Sequence, residues 1–440
     1  AAGAAWRERP YAELRATVDR VAQGVLDLGL EPGDRVGLFA NNCPEWTEVD
    51  LGVNTARGVV VPLYATSTPE QIAHIVTDSR MRAIVVGGQS EAERVLAARE
   101  IAPMPPVVVL EDYPDRPDDV RVYEQLLADP TPAVDERLGE ADDDDLTAII
   151  YTSGTTGAPK GAMISHAALC AESDALEGFF EFGSKESSLC FLPLSHALER
   201  GWTLVILMHG CMNTYVYNPR TIAEQMVRAQ ATMMVSVPKL YEMVFATAHK
   251  KVARSPIKRA ILTWALKVGR HNQYKYRAGR RPGPILSLQR RLADRLVYRS
   301  VRDAVGGPKH ILACGGAPLR PEIEEFFSSV GMPIQTGYGL TEAAPLVTFN
   351  APGAFKIGTV GRVLDGGEVR LGDLGELLYR GPNVMRGYWN APEATAEAID
   401  EDGWLHTGDV GYIDNEGYVT ITDRLKDIIV TLGGKNVSPQ

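Results

Sequence analysis

The sequence predicts an α/β protein with doubly wound, mostly parallel sheets, and three observations carry this prediction. Helical and strand patterns alternate through the first third of the chain. A short apolar run at residues 146–151 has the character of a buried strand. From about residue 348 the pattern changes to short β-rich runs separated by glycines. At 440 residues the chain is too long for one small core, so two or three domains are expected.

The elements of the first third follow from local patterns. The predicted helices are residues 11–30, 44–57 and 69–79, and the predicted strands are residues 35–40, 59–62, 83–86 and 107–110. Residues 367–371, 375–380 and 418–422 are the later β-rich runs, and they predict a small β-barrel or sheet subdomain with hairpin turns. We therefore expect α/β subdomains over residues 1–345, a β-rich subdomain over 346–424, and a hinge with the start of a further domain over 425–440.

Composition and charge exclude several classes of protein. The chain is 45% hydrophobic and 23% charged, as in an ordinary soluble globular protein, and its net charge of −11 argues against nucleic acid as a partner. The five cysteines are scattered, which favours reduced thiols in a cytoplasm over a zinc site or disulfides. No apolar run reaches the roughly 18 residues of a membrane span. The N-terminus shows no signal-peptide pattern, although its first residue, Ala1, is not Met and leaves targeting open.

The most informative stretch is the loop that follows the apolar run at 146–151. It is dense in hydroxyl groups and glycine and ends in a lysine, with the sequence Thr152-Ser153-Gly154-Thr155-Thr156-Gly157-Ala158-Pro159-Lys160. Such a loop can present backbone N–H groups, hydroxyls and one ammonium to a phosphate chain. It is not a Walker A loop, because no hydroxyl residue follows the lysine.

A second block, Gln335-Thr336-Gly337-Tyr338-Gly339-Leu340-Thr341-Glu342, has a tyrosine between two glycines. A planar base can lie against such a ring with backbone close by, Thr341 offers a hydroxyl to a phosphate oxygen, and Glu342 offers a carboxylate to Mg²⁺. Three shorter motifs accompany it in order: Cys314-Gly315-Gly316-Ala317-Pro318, Trp404-Leu405-His406-Thr407-Gly408-Asp409 and Asp423-Arg424-Leu425-Lys426-Asp427.

Together these five loops resemble those of the adenylate-forming enzymes, the superfamily of acyl-CoA synthetases, luciferases and peptide-synthetase adenylation domains. The resemblance implies that residues 152–160 hold the β- and γ-phosphates of ATP. It also implies that Thr341 contacts the α-phosphate, that Glu342 binds magnesium, and that Asp409 and Arg424 bind the ribose. His196 would be a gate and Lys426 a hinge. The adenine slot would be formed by Gly315, Gly316, Ala317, Tyr338 and Gly339. The expected catalytic residues are Lys160, His196, Thr341 and Glu342.

Further motifs resemble the long-chain acyl-CoA synthetases within this superfamily. They are residues 191–200 (Phe-Leu-Pro-Leu-Ser-His-Ala-Leu-Glu-Arg), 236–242, 380–388 and 433–439. We therefore expect ATP-dependent ligation of a long-chain fatty acid to coenzyme A. A fatty acyl-AMP ligase that serves a carrier protein and an inactive nucleotide-binding regulator remain alternatives. The family continues past the hinge into a mobile C-terminal domain with an assisting lysine. A protein that ended at Gln440 would therefore adenylate weakly and form almost no thioester.

The segment from Lys250 to Arg302 has an unusual charge, with 16 lysines and arginines and a single acid, Asp294. Helical spacing predicts two basic amphipathic helices joined by residues 279–284, with Ile257, Ile261, Trp264 and Val268 on one face and Leu288, Leu292 and Leu296 on another. The segment is either a solvated helical insertion, about residues 250–303, or a patch for peripheral contact with an anionic membrane surface.

Overall fold

The computed structural model describes residues 6–152, 159–277, 282–427, 429–430 and 436–437. The chain forms two compact units. Unit 1 comprises Ala1–Cys170, Leu192–Arg200 and Met385–Thr395, and unit 2 comprises Ala171–Phe191, Gly201–Val384 and Ala396–Gln440. The expected boundaries after residues 345 and 424 stay a prediction.

Unit 1 contains a seven-stranded sheet with the order β5-β4-β3-β1-β2-β6-β7, in which only the β6–β7 pair is antiparallel. Its strands are β1 Arg35–Phe39, β2 Val59–Pro62, β3 Ala83–Val86, β4 Val107–Val109, β5 Val120–Val122, β6 Leu146–Thr152 and β7 Lys160–Ser165. The accompanying helices are α1 Tyr11–Asp27, α2 Pro44–Thr55, α3 Pro69–Ser79, α4 Gln89–Ala98, α5 Tyr123–Leu126 and α6 Pro132–Gly139. The expected doubly wound, mostly parallel sheet is confirmed.

The local sequence explains these elements. The inner strands are rich in valine and isoleucine and are buried throughout, as for a parallel sheet with both faces covered. Helix α3 begins at a capping box, because the Thr68 hydroxyl accepts from the Gln71 N–H while the Gln71 side chain accepts from the Thr68 N–H, and Pro69 occupies the first turn. The predicted helix 11–30 ends earlier, at Asp27, and the chain turns at Gly29, whose φ is +79°.

Unit 2 contains a second seven-stranded sheet with the order β14-β13-β12-β11-β10-β8-β9. Its strands are β8 Ser187–Cys190, β9 Met212–Tyr215, β10 Met233–Ser236, β11 Ile311–Cys314, β12 Gln335–Gly339, β13 Leu346–Phe349 and β14 Arg362–Val363. Strands β8 to β12 are parallel, and β13 and β14 are added antiparallel. The helices that follow β7 in the chain are α7 His166–Glu177, α8 Ala197–Met208, α9 Ile222–Ala229, α10 Pro238–Ala253, α11 Pro256–Arg277, α12 Pro284–Ala293, α13 Arg299–Ala304 and α14 Pro321–Ser329. Helices α7 and α8 begin in unit 1 and end in unit 2.

The β-rich part of unit 2 is an antiparallel sheet with the order β15-β16-β17-β18. Its strands are β15 Glu368–Leu371, β16 Glu376–Arg380, β17 Leu405–Ile413 and β18 Val419–Arg424. Among the described residues, each strand pairs with the next one in the chain. The sequence predicted a small β-barrel or a sheet, and the structure has the sheet. Helix α15, Pro392–Ala398, precedes β17, and the short strands β19 Ile429–Val430 and β20 Asn436–Val437 pair with each other.

The basic segment forms helices α11 and α12, as predicted, although it begins within the last turn of α10 and continues beyond α12. A π-helical turn, Asp294–Tyr298, connects α12 directly to α13. Part of the predicted connection, residues 278–281, lies outside the described residues. Throughout the described ranges, none of the helices combines the length and apolar character that crossing a membrane requires.

Candidate functional site

In unit 2, the predicted glycine turn and tyrosine block follow neighbouring parallel strands. Strand β11 pairs with β12 through Ala313–Gln335 and Cys314–Thr336, so the residues after Cys314 and after Thr336 emerge at the same sheet edge. Gly316 has φ +79°, a conformation that favours glycine, while Gly316 and Ala317 are exposed. The backbone at this turn is therefore open to a planar ligand.

The tyrosine block is tightly constrained at its second glycine. A Cβ atom on Gly339 would lie 1.7 Å from the carbonyl oxygen of Pro345, so a larger residue cannot occupy this position without moving the backbone. Next to it, Thr341–Ala343 forms a 3₁₀ turn in which Thr341 is buried and Glu342 is partly exposed. The turn therefore presents a hydroxyl and a carboxylate beside Tyr338.

A hydrogen-bonded cluster connects Tyr338 to the antiparallel sheet. The Tyr338 hydroxyl donates to Asp409 Oδ2 at 2.6 Å, and Arg424 Nε lies 2.7 Å from Asp409 Oδ1. Asp409 and Arg424 are directly opposite each other on β17 and β18, so the strand register itself brings the two charges together. Thr407 Oγ1 also accepts from the Asp409 backbone N–H at 3.1 Å.

Burial controls the electrostatics of this cluster. Asp409 is 3% exposed, and burial raises its pKa, while the hydrogen bond from Tyr338 and the charge of Arg424 act in the opposite direction. Burial, followed by the nearby Asp409 charge, raises the pKa of Tyr338 well above its ordinary value, so the phenol remains a donor. The result is a carboxylate with both oxygens oriented, which suits a pair of hydroxyl groups on a ligand.

Sequence reasoning missed Asn383 as a residue that positions this site. Its side chain is 2% exposed, and Nδ2 donates to the backbone oxygens of Ala343 and Leu346 at 2.6 and 2.7 Å. The Tyr379 hydroxyl donates to Asn383 Oδ1. These bonds fix the chain on both sides of Pro345. Asn383 lies in the 380–388 motif, but nothing in the sequence indicates that its amide would span two segments.

A buried acid, Glu172, lies close to the same segment. A Cβ on Gly201 would be 3.5 Å from Glu172 Oε2 and 3.2 Å from Pro345 Cδ, which places the carboxyl beside this proline. Glu172 is 4% exposed, its Oε2 has no hydrogen-bond partner among the described residues, and burial raises its pKa well above the ordinary value. Burial of this kind disfavours the charged form of the carboxyl.

Unit 1 carries the two ends of the predicted phosphate loop. Thr152 and Lys160 face each other as Cα partners at the end of the β6–β7 hairpin. The predicted ligands Ser153, Gly154, Thr155, Thr156 and Gly157 lie outside the described residues. The carbonyl of Pro159 is 3.3 Å from His74 Nε2 on α3, which fixes the chain just before Lys160.

The residues after Met385 support Lys160. Three backbone hydrogen bonds of 2.8–2.9 Å connect β7 to Arg386, Gly387 and Trp389. They place the Tyr388 ring with its centroid 5.4 Å from Lys160 Nζ, within the range of a cation–π contact. The Trp389 indole donates to the Asp78 carbonyl at 3.0 Å and anchors this segment on α3. Tyr388 is a second supporting residue that the sequence did not identify.

His196 lies on a different element of unit 1, at the start of α8. Its Nδ1 accepts from the Leu198 backbone N–H at 3.2 Å, a side-chain cap of the helix. The residue is exposed, but its ring lies 6.4 Å from that of Tyr64, and partial loss of water lowers its pKa. The imidazole is therefore neutral near pH 7.

A buried ion pair fixes the segment that contains His196. Arg200 Nε and Nη2 lie 3.0 and 2.9 Å from the two oxygens of Asp50, and Arg200 Nη2 also donates to Thr147 Oγ1 at 2.8 Å. The two side chains are 3% and 1% exposed. The Asn42 side chain adds two hydrogen bonds. Its Nδ2 donates to the Leu192 carbonyl, and its Oδ1 accepts from the Leu194 N–H. Glu199 and Arg200 of the 191–200 motif are thus buried in the interior of the protein.

The predicted site residues therefore fall into two groups. Unit 2 brings together the glycine turn, Tyr338, Gly339, Thr341, Glu342, Asp409 and Arg424, whereas unit 1 holds Thr152, Lys160 and His196. Lys426 lies in the 3₁₀ turn Leu425–Asp427 that follows β18, and it is exposed.

The predicted ligand for magnesium is Glu342. Within the described ranges, no group of three or more His, Cys, Asp or Glu side chains is arranged to hold a metal ion. Glu342 contributes a single carboxylate, which fits an ion that takes its other ligands from substrate phosphates and water. The residues thus fit magnesium that is bound together with a nucleotide.

The parallel α/β sheets and the order of the five loop motifs along the chain are those expected of an adenylate-forming enzyme. The model of the family described as AMP-binding enzyme matches residues 2–389. The chain belongs to this family.

Two of its relatives are long-chain-fatty-acid–CoA ligases. FadD15 of Mycobacterium tuberculosis is 34% identical over 438 residues, which cover 99% of this chain and 72% of that protein. ACSBG1 of Rattus norvegicus is 31% identical over 466 residues, covering 99% of this chain and 63% of that protein. The crystal structure of apo MatB from Rhodopseudomonas palustris has a TM-score of 0.71 at 27% identity and covers 99% of this chain and 77% of that chain. The similarity supports a ligase with the fold of the N-terminal domain of adenylate-forming enzymes.

Proposed function

We propose that the protein uses ATP to activate a long-chain fatty acid as its acyl-AMP and transfers the acyl group to coenzyme A, with release of pyrophosphate and AMP. One observation carries the proposal. The Tyr338–Asp409–Arg424 cluster lies beside the Thr341–Glu342 turn in a chain that is 34% identical to FadD15 of Mycobacterium tuberculosis.

The chemistry explains why such residues are needed. A thiol cannot displace oxide from a carboxylate, so the acid must first receive a good leaving group. In the proposed first step a carboxylate oxygen attacks the α-phosphorus of ATP, the bond to the β-phosphate oxygen breaks, and pyrophosphate leaves. In the second step the thiolate of coenzyme A attacks the acyl carbon and AMP leaves. Both displacements depend on positioning and charge neutralisation.

The residues take roles that match their surroundings. In this proposal Asp409 accepts hydrogen bonds from the ribose hydroxyls, since its carboxylate is buried and already oriented by two donors. Thr341 donates its hydroxyl to the α-phosphate, and Lys160 neutralises charge on the phosphates that leave. Glu342 would hold magnesium, which supplies further neutralisation of phosphate charge when bound.

The cysteines bear on the proposed location, and the relatives bear on the proposed acceptor. The five cysteines are free and four of them are buried, which supports the proposed cytoplasmic location. Coenzyme A is preferred over a carrier protein because the long-chain relatives are named as CoA ligases. The acceptor is therefore the part of the proposal that an experiment must decide.

The test is pyrophosphate release with palmitate and ATP, with and without coenzyme A, on protein whose intact mass is measured in parallel. We expect release that depends on palmitate and an acyl-CoA product. The Glu342→Gln variant should lose at least a hundredfold in rate, since a transition-state ligand is removed, whereas Glu401→Gln, an exposed acid on another loop, should match the parent. From protein heavier than the 47.9 kDa of these 440 residues, acyl-AMP without acyl-CoA would favour the carrier-protein alternative. ATP binding with no pyrophosphate release from any fatty acid would refute the proposal.

A further inference from the structure

Large exposed apolar side chains are concentrated on the helices of the basic segment and on α10, which precedes it. Ile257, Ile285 and Leu288 are 73%, 76% and 69% exposed, and Leu292 and Leu296 are each 50% exposed. Met243 on α10 is 55% exposed. Single exposed apolar residues need no explanation, but a contiguous group of them on neighbouring helices indicates an interaction surface.

Helix α12 shows that this exposure is organised. Ile285, Leu288, Leu292 and Leu296 are separated by three or four residues, so they form one stripe along the helix and the π-helical turn that continues it. The same helix packs inward through other positions, because Leu286 and Ala293 are buried. The stripe is thus additional to the apolar contacts that hold α12 on the fold.

Basic residues accompany the stripe. Arg290, Arg291 and Arg295 are exposed on the same stretch of chain. The single acid of the segment, Asp294, is 2.6 Å from Arg302 Nη2 and is neutralised by it. Outside residues 250–302 the chain has 29 basic and 55 acidic residues, so this segment carries a net positive charge while the rest of the chain is net negative. At helical spacing Arg291 and Arg295 border the stripe, and we name these two arginines and the four stripe residues the α12 face.

An apolar groove adjoins the α12 face. It has a volume of about 390 Å³ and is lined by apolar side chains of α10, α11 and α13, including Val244, Ile261 and Val301. Leu296 belongs both to this groove and to the stripe, and the exposed Lys258 also lines the groove. Apolar surface with a basic border therefore continues from α12 onto the neighbouring helices.

We propose that the α12 face docks on an anionic lipid bilayer, with α12 in the plane of the headgroups. The stripe enters the boundary of the acyl chains, and Arg291 and Arg295 contact lipid phosphates. This combination, an apolar stripe bordered by arginine on an exposed helix, is that of interfacial amphipathic helices. The inference does not depend on the proposed reaction.

The charge pattern favours a lipid surface over a second copy of the chain. A bilayer meets the apolar and the basic side chains of one helix at the same depth, since phosphates lie directly above the acyl chains. A second copy joined by the same face would place like charges together, which opposes association.

Vesicle sedimentation tests the proposal on the full chain. Phosphatidylcholine vesicles with and without phosphatidylglycerol are compared at low and high salt. We expect binding only with the anionic lipid, and weaker binding at high salt because exposed charges are screened. The variant Arg291→Gln/Arg295→Gln should bind about thirtyfold more weakly.

Two more variants separate charge from apolar insertion. Ile285→Ser/Leu288→Ser keeps every charge and should weaken binding at least tenfold, because two exposed side chains no longer enter the bilayer. Arg121→Gln/Lys185→Gln removes the same net charge from exposed positions outside the segment and should bind as the parent does. Equal thermal unfolding midpoints would show that all three variants are folded.

Three results would overturn the proposal. The first is no sedimentation with anionic vesicles at low salt. The second is equal weakening by the α12 arginine variant and the control variant, which would mean a general effect of net charge. The third is a lipid-free dimer in analytical ultracentrifugation that Ile285→Ser/Leu288→Ser abolishes, which would assign the stripe to a second copy.

Discussion

Replacing Asn383 with alanine should disorder the segment that carries Thr341 and Glu342. The Asn383 amide is the connection between this segment and strand β16, through the carbonyls of Ala343 and Leu346 on one side and Tyr379 on the other. The substitution removes the side chain from a position that is 2% exposed, so the lost bonds are not readily replaced by bulk water.

The magnitude follows from the groups that are left without partners. Two carbonyl oxygens and one tyrosine hydroxyl lose a hydrogen bond in a buried setting. Each unsatisfied buried group costs about 1–3 kcal/mol, and one trapped water would recover part of the loss, so we expect a destabilisation of about 3–6 kcal/mol. Tyr379→Phe removes only one bond of the same network and should cost about 1 kcal/mol.

Urea unfolding gives the change in the free energy of unfolding, and pyrophosphate release gives the change in activity. Activity is measured at a temperature at which parent and variants are folded, so that lost activity reports the displaced segment rather than unfolded protein. We expect at least a tenfold fall in kcat for Asn383→Ala and a much smaller change for Tyr379→Phe. A destabilisation below about 1 kcal/mol, or an unchanged kcat, would refute the reasoning.

Three further predictions concern other parts of the structure. Asp50→Ala leaves the buried Arg200 without a counter-charge and should lower the free energy of unfolding by about 3–5 kcal/mol, and a urea midpoint close to the parent's would contradict this. Tyr388→Leu should raise KM for ATP two- to fivefold, because it removes the ring next to Lys160. Tyr388→Phe keeps the ring and should leave KM unchanged. An equal effect of both variants would exclude the cation–π contact. Burial raises the pKa of Glu324 from an ordinary 4.5 to about 7, so the folded state holds this proton more tightly than the unfolded state. Stability should therefore fall, by no more than about 3 kcal/mol, as pH rises from 4.5 to 7, and Glu324→Gln should flatten this part of the curve in urea titrations at several pH values.

The short elements of the first third show what local patterns can predict. Residues 59–62, 69–79 and 83–86 were predicted with the bounds that the structure has. These segments have strong local signals, namely buried β-branched strands and a capped helix with proline in its first turn. Boundaries shifted where the signal was weaker, as at the end of α1, because helix ends depend on the turn that follows.

The basic segment shows the limit of such patterns. Helical spacing correctly places Ile257 and Val268 on one helix, yet Ile257 is 73% exposed and Val268 is 6% exposed. Periodicity identifies an apolar face, but burial depends on which neighbouring element covers each turn of the helix. Only the structure showed that the α12 stripe faces outward.

The sequence by itself determined the class of fold, the order of the five loop motifs and the residue types that the proposed adenylation needs, because these depend on local spacing and side-chain chemistry. The tertiary structure decided the rest through contacts between residues far apart in the chain. Strand register places Asp409 opposite Arg424, and the Tyr338 hydroxyl donates a hydrogen bond to the same carboxylate. The Asn383 amide donates hydrogen bonds to two backbone carbonyls. Such partnerships depend on how strands and loops pack in three dimensions, and no spacing in the sequence encodes them.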